Sequence, residues 1–245
     1  MFVYPEPDLT PAYGSIAIGV TAIAYVAYYS IGHSVRLNQW LERQFGEAAA
    51  SVRKVLWHRL SGTVLYGFIP LLVVLLVFDM PVGRFGLNND SLARSMGWWI
   101  PVALLIITLN YFTAGNKQNL SRYPQIRASQ WNYGLVLLSA LSWITYLAGY
   151  EIMFRGFLLF ACLGSFGYWP AIVINVALYS LAHLHKGSRE IIGSIFFGFV
   201  LCYVTILLGS CWFAFLVHIT LALSNEWFSL ARNPEMKLVR KQAAE

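Results

Sequence analysis

Ionisable side chains stand in the middle of long apolar stretches, and these are the residues that could do chemistry. The stretch YEIMFRGF places Glu151 four residues before Arg155, so both side chains lie on one face of a helix, one turn apart. His183 ends the stretch YSLAH, and His218 ends the stretch FLVH. A charged group at membrane depth costs roughly 3 kcal/mol or more, and groups retained there usually serve a function.

One carboxylate and two histidines from different helices resemble the ligand set of a catalytic zinc ion. Such an ion keeps three protein ligands and an open position for water, and it lowers the pKa of that water to about 7. These residues therefore predict Glu151, His183 and His218 as metal ligands and zinc as the candidate cofactor. Two alternatives stay open: the same groups would suit a proton relay or transport site, and Glu151 with Arg155 would also serve as a buried ion pair that locks helix packing.

The composition identifies the elements that must hold these groups. The 245 residues are 58% hydrophobic and 11% charged, whereas soluble domains carry roughly a quarter charged residues. This composition predicts an all-α, polytopic membrane bundle, with about 20 residues in each spanning helix. Seven apolar segments fit that length, at residues 13–32, 61–79, 98–114, 135–163, 169–185, 190–208 and 211–229.

The basic residues predict how the bundle is oriented. If the N-terminus is outside, all of the 17 Lys and Arg residues except Arg84, Arg94 and Arg155 fall in gaps on the inner side. Membrane proteins show this bias on their cytoplasmic side, so the C-terminus is expected inside. Because the positive charge follows topology and forms no basic stripe, membrane lipid is the expected partner and nucleic acid is excluded.

The chain divides into three regions in this interpretation. Residues 1–134 form an N-terminal membrane region with three spans, residues 135–229 form a helical core that carries the ionisable groups, and residues 230–245 form a basic cytoplasmic tail. Residues 34–60 alternate apolar and charged positions at helical spacing, which indicates a helix on the inner surface or an ordinary helical connection. Residues 80–97 and 115–131 are rich in Pro, Gly, Asn and Ser and are predicted to be loops.

The run YEIMFRGFLLF, followed by YSLAH and then FLVH, resembles the CPBP family of intramembrane proteases, the CAAX-processing and bacteriocin-processing enzymes. That family is marked by Glu-Glu-x-x-x-Arg, Phe-x-x-x-His and a final histidine stretch. The resemblance matches Glu151 to the second glutamate, Arg155 to the arginine, and His183 and His218 to the histidines. It implies that glutamate and histidine activate water, with or without a metal, for attack on a peptide carbonyl, and that Arg155 holds the acid.

Three positions differ from the family pattern. Tyr150 stands where the family has its first glutamate, Tyr179 where it has phenylalanine, and Ala222 where it has a polar residue four positions after the last histidine. Glu190, at the start of the sixth predicted span, is our candidate for the missing second acid. Asn225 is the candidate for the missing polar residue.

The expected function is therefore an intramembrane, candidate metallo-, endopeptidase that hydrolyses a peptide bond of a membrane-associated substrate, lipidated or hydrophobic. The resemblance and small size suggest a bacterial inner membrane. Two alternatives are a catalytically inactive relative that acts as a scaffold or immunity-type protein, and an ion or proton transporter. Among the other polar groups, His185 is predicted to be solvated and Glu226 to be an interfacial acid, while His33 and His58 receive no catalytic role.

Overall fold

The computed structural model describes residues 7–184 and 187–239. Its α-helices are α1 (Pro11–Gly32), α2 (Val35–Thr63), α3 (Ile69–Leu76), α4 (Leu92–Thr113), α5 (Lys117–Leu120), α6 (Tyr133–Glu151), α7 (Leu159–Phe166), α8 (Tyr168–Leu181), α9 (Ser188–Leu208) and α10 (Trp212–Arg232). Two π-helical segments, Val64–Phe68 and Ile152–Leu158, join α2 to α3 and α6 to α7. A 3₁₀ turn, Val82–Phe85, and two short strands, β1 (Gln130–Trp131) and β2 (Lys237–Leu238), complete the described elements.

The predicted polytopic helical bundle is confirmed, and the chain is an integral membrane protein. Within the described residues, six helices are long and apolar enough to span a bilayer: Pro11–Gly32, Ala49–Leu76, Leu92–Thr113, Tyr133–Phe166, Glu190–Leu208 and Trp212–Arg232. Many of their Leu, Ile, Val and Phe side chains are exposed, as expected of a surface that faces lipid tails. The inside–outside orientation stays a prediction.

The fifth predicted span, residues 169–185, differs from the prediction. It corresponds to α8, a helix of 14 residues, which is about 21 Å long and shorter than the roughly 30 Å hydrocarbon core. Its close packing against α7 and α9 buries Tyr168, Ala171, Ile172 and Tyr179. Of the seven predicted spans, six therefore correspond to described helices long enough to cross a bilayer, and the fifth corresponds to a shorter, packed helix; the number of spans stays a prediction.

The predicted surface helix over residues 34–60 is only partly separate from the spans. Ser34 caps its start by accepting a hydrogen bond from the Leu37 amide. The backbone then breaks at Gly46, with φ 72° and ψ 162°, a conformation that glycine adopts readily and other residues rarely. The chain beyond the break continues into Ala49–Leu76, one of the helices long enough to span a bilayer, so the second half of the predicted surface helix overlaps a candidate membrane helix.

The centre of the bundle is the π-helical segment between α6 and α7. Met153, Phe154, Phe157 and Leu158 are all at most 1% exposed, and α1, α3, α8 and α9 pack around the segment. Because neighbouring side chains bury every residue of the segment from Met153 to Leu158, a charge on this part is shielded from lipid and water alike.

The two predicted loops contain some regular structure. Helix α4 begins at Leu92, so the end of the predicted loop 80–97 is helical. Between residues 115 and 131 lie α5 and β1, and β1 pairs in parallel with β2 through Gln130 and Lys237. This pairing attaches the start of the predicted tail to the bundle, while residues 240–245 of that tail lie outside the described residues.

Candidate active site

A glutamate and a histidine from different helices meet at the centre of the bundle. Glu151 is the last residue of α6 and is 1% exposed, and His218 lies in α10. The Nδ1 atom of His218 contacts Oε1 of Glu151. Since a carboxylate accepts hydrogen bonds, Nδ1 carries the proton in this pair, and the other ring nitrogen, Nε2, is left as an acceptor in the neutral imidazole.

Arg155 balances the charge of Glu151. Its Nε lies 3.7 Å from Oε2 of Glu151, and the arginine side chain is fully buried. The guanidinium carbon lies 4.2 Å from the centre of the Tyr179 ring, which is a favourable cation–π distance. The pairing expected from the four-residue spacing is therefore present, and it holds both the acid and the ring of Tyr179.

Tyr179 stands between the two histidines. Its hydroxyl oxygen is 3.3 Å from Nε2 of His218. Just beyond the end of α8, the Nδ1 of His183 is 2.8 Å from the Tyr179 carbonyl oxygen, and the centres of the His183 and Tyr179 rings are 4.7 Å apart. The structure therefore brings His183 and His218 into contact with the same tyrosine.

Tyr179 and the two histidines border a cavity of about 480 Å³. Six of the residues that line it are Tyr150, Tyr179, His183, Glu190, Phe197 and His218. Of the residues that the structure describes, neither Glu151 nor Arg155 lines this cavity. A molecule in the cavity would thus meet His218 first, with Glu151 behind it.

The predicted zinc ligands do not form a three-ligand set. Within residues 7–184 and 187–239, no group of three or more His, Cys, Asp or Glu side chains is arranged to hold a metal ion. His218 contacts Glu151 through Nδ1 and the Tyr179 hydroxyl through Nε2, so both ring nitrogens lie next to other side chains. The residues present do not fit the expected zinc site, and zinc stays an untested prediction.

Glu190, the candidate second acid, lies at another part of the cavity wall. Its carboxylate forms an ion pair with Arg122, and both side chains are more than a third exposed. Tyr123 lies beside this pair and also lines the cavity. Burial, followed by the charges of Glu190 and Glu226, raises the pKa of Tyr123 to about 12, so its hydroxyl stays protonated at neutral pH. Glu190 thus borders the same cavity as His218 and forms its ion pair with Arg122.

The expectation that Glu226 is an interfacial acid was wrong. Glu226 is 1% exposed and lies 3.6 Å from Nη2 of the equally buried Arg59. Trp143 donates to its Oε2 at 3.0 Å, and Ser139 donates to Oε1. Sequence analysis assigned Arg59 to the positive flank of a span. The ion pair between Arg59 and Glu226 could not be predicted from the sequence, because the two residues are far apart in the chain and no spacing links them.

Several further residues that the sequence singled out also line the cavity. Tyr150, Ala222 and Asn225 all border it. So do His33 and His58, to which no catalytic role was assigned. The hydroxyl of Tyr150 is buried and has no hydrogen-bond partner in the part of the chain that is described. His185 lies outside the described residues.

One comparison with known proteins gives a match. Residues 130–224 match the family described as Rce1-like: Type II CAAX prenyl endopeptidase Rce1-like. The matched range contains Glu151, Arg155, His183 and His218, and it confirms the resemblance drawn from the three sequence stretches. No curated protein and no solved structure matches the chain.

Proposed function

Because residues 130–224 match the Rce1-like type II CAAX prenyl endopeptidases, we propose that this chain is an intramembrane endopeptidase. Its substrate would be a membrane-associated peptide, prenylated near its C-terminus, and its location a bacterial inner membrane. The observation that carries the proposal is the buried pair of Glu151 and His218: the carboxylate binds Nδ1 and leaves Nε2 as the other ring nitrogen of a histidine that lines the cavity.

His218 is the general base in this proposal. Its Nε2 takes a proton from a water molecule in the cavity, while the water oxygen attacks the scissile carbonyl carbon. The carbon–nitrogen bond of the tetrahedral intermediate then breaks, and His218 returns the proton to the leaving amine. The products are a carboxylic acid and an amine, so no other reactant is consumed.

Glu151 and Arg155 support His218 from behind. The carboxylate holds the imidazole in one tautomer and orientation and stabilises the imidazolium that forms. Arg155 holds Glu151 in place through their ion pair. The sequence analysis gave Glu151 the role of activating water; we transfer that role to His218, because Glu151 is 1% exposed and its Oε1 is bound to the imidazole.

We assign His183 to substrate binding, since it lines the same cavity and its Nδ1 is bound to the Tyr179 carbonyl. No step of this mechanism passes through zinc, because the described residues do not form a three-ligand set.

A non-catalytic relative is the second candidate function. The observation that favours it is the identity of two residues on the cavity wall. Tyr150 stands where the family has a glutamate, and Ala222 stands where it has a polar residue. Tyrosine is a poor base, with an ordinary pKa of about 10. Such a protein would bind the peptide without cleaving it.

Cleavage of a prenylated peptide tests the proposal. The purified protein in liposomes is incubated with a peptide that ends in a prenylcysteine followed by three C-terminal residues, and the products are identified by mass spectrometry. We expect the wild type to release the three residues and His218→Ala to lose roughly 10²–10⁴-fold in rate, the usual contribution of a general base. A folded wild type that binds the peptide but leaves it intact would support the non-catalytic candidate instead.

A further inference from the structure

The hydroxyl of Tyr179 is a polar group that the family pattern does not include, because that pattern has phenylalanine at this position. Tyr179 lies in α8, is 2% exposed and borders the cavity. Its oxygen is 3.3 Å from Nε2 of His218, the atom that takes the proton from water in the proposed mechanism. The hydroxyl therefore lies beside the position of the attacking water.

The ring of Tyr179 is held in place by its neighbours. The guanidinium of Arg155 lies against it at 4.2 Å, the His183 ring at 4.7 Å, and the Phe154 and Tyr150 rings at 5.7 and 5.9 Å. A hydroxyl on a ring packed in this way keeps its direction when charge develops nearby, and such preorganised donors are effective in stabilising transition states.

We infer that the Tyr179 hydroxyl donates a hydrogen bond to the scissile carbonyl oxygen as that oxygen becomes negatively charged. This inference rests on the proposed endopeptidase function. As water attacks the carbonyl carbon and its proton moves to His218, the two electrons of the carbonyl π bond move to the oxygen. The hydroxyl stabilises this oxyanion without losing its proton, and the carbonyl re-forms when the bond to nitrogen breaks.

Three observations favour Tyr179 for this role. A carbonyl group that meets the water at Nε2 must present its oxygen within about 3 Å of a donor, and the Tyr179 oxygen is 3.3 Å from Nε2. The cation of Arg155 lies against the same ring, where it favours negative charge near the hydroxyl. Ala222, also on the cavity wall, offers no side-chain donor.

Tyr179→Phe tests the inference, because it removes one oxygen atom and restores the residue usual in the family. The matched control is Tyr168→Phe, which removes a hydroxyl from a buried tyrosine at the other end of α8. We expect Tyr179→Phe to lower kcat by roughly 10²–10³-fold, the usual effect of losing one oxyanion donor. KM should stay within about threefold, because the lost interaction forms only in the transition state. Tyr168→Phe should match the wild type.

A second readout separates stabilisation of the oxyanion from simple support of His218. A peptide aldehyde, whose hydrate resembles the tetrahedral intermediate, should bind Tyr179→Phe more weakly by a factor close to the loss in kcat. If Tyr179→Phe folds poorly, fluorotyrosine at position 179 retains the ring and makes the hydroxyl more acidic. In that variant kcat should change, and an unchanged kcat would overturn the inference.

The outcomes distinguish this inference from the proposed function. Wild-type rates in Tyr179→Phe, alongside cleavage by the wild type and loss in His218→Ala, would overturn the role of Tyr179 and leave the endopeptidase function intact. A wild type that cleaves nothing would overturn both.

Discussion

Replacing Glu151 by glutamine separates two roles of one side chain, the charge partner of Arg155 and the support of His218. Glutamine retains the size of glutamate and removes its charge. Arg155 would then be a fully buried cation that has lost its paired carboxylate. Removing one partner of a buried ion pair costs roughly 3–5 kcal/mol, which at about 2–4 °C per kcal/mol lowers Tm by roughly 6–20 °C.

The same substitution should also abolish most of the activity. When the carboxylate that orients a catalytic histidine becomes an amide, the histidine is held in the wrong tautomer and kcat falls by roughly 10⁴-fold. At about 1.4 kcal/mol for each factor of ten, this corresponds to about 5.5 kcal/mol of transition-state stabilisation.

The double variant Glu151→Gln/Arg155→Met distinguishes the two effects. Replacing both members of a buried ion pair by neutral residues of similar size is often neutral for stability, so we expect most of the lost Tm to return. Activity should stay low, because His218 still lacks its carboxylate. Arg155→Met alone completes the double-mutant cycle.

Thermal unfolding in mild detergent and peptide cleavage in liposomes measure the two properties on the same four proteins. If the double variant regained activity together with stability, Glu151 would serve only to balance Arg155, and the catalytic role would be refuted. If Glu151→Gln unfolded at the wild-type temperature, the ion pair would not be the buried contact described above.

Three further substitutions follow from the same contacts. Glu190→Gln breaks an exposed ion pair with Arg122. Because such pairs contribute at most about 1 kcal/mol, Tm and the cleavage rate should stay near the wild-type values. A loss of activity like that of Glu151→Gln would show that Glu190 is the second acid. Glu226→Gln leaves Arg59 buried without its carboxylate and should lower stability by roughly 3–5 kcal/mol in a detergent unfolding experiment, and a wild-type Tm would contradict the buried assignment. Tyr150→Phe removes a buried hydroxyl that has no hydrogen-bond partner within the described residues. The free energy of unfolding should be unchanged or up to about 1–3 kcal/mol higher, and kcat should stay near the wild-type value. A large fall in kcat would assign that hydroxyl to the reaction.

The residues at the centre of the site were predictable from the sequence because placing ionisable side chains within apolar segments costs free energy. Glu151, Arg155 and His218 interrupt apolar runs, and groups of this kind pair with one another inside membrane proteins. The four-residue spacing of the acid and the arginine then predicts their contact on one helix face. The structure contains that contact and adds His218 to it.

The parts that sequence analysis missed depend on packing between distant helices. Glu226 lies in the second half of α10, and an acid near a helix end can reach water unless neighbouring helices cover it; here Arg59, Ser139 and Trp143 surround it. Tyr179 carries little information in the sequence, since tyrosines are common near membrane interfaces. Only the approach of α8 to α10 brings its hydroxyl close to His218.

The length of α8 also could not be predicted from hydropathy. The segment 169–185 is apolar enough for a span, but apolarity does not distinguish a helix that faces lipid from one that is buried by protein. The turn after Leu181 shortens it to 14 residues. The break at Gly46 similarly separates the start of the predicted surface helix from a part that continues into a candidate span.

Chemical rescue of His218→Gly is the measurement that tests most directly whether His218 takes the proton from water. Glycine removes the imidazole and leaves space next to a cavity of about 480 Å³, into which free imidazole can diffuse. We expect His218→Gly to lose cleavage of the prenylated peptide and to regain part of it as imidazole is added, with no such response in Glu151→Gln. Cleavage by His218→Gly at the wild-type rate without imidazole would contradict the proposed role of His218.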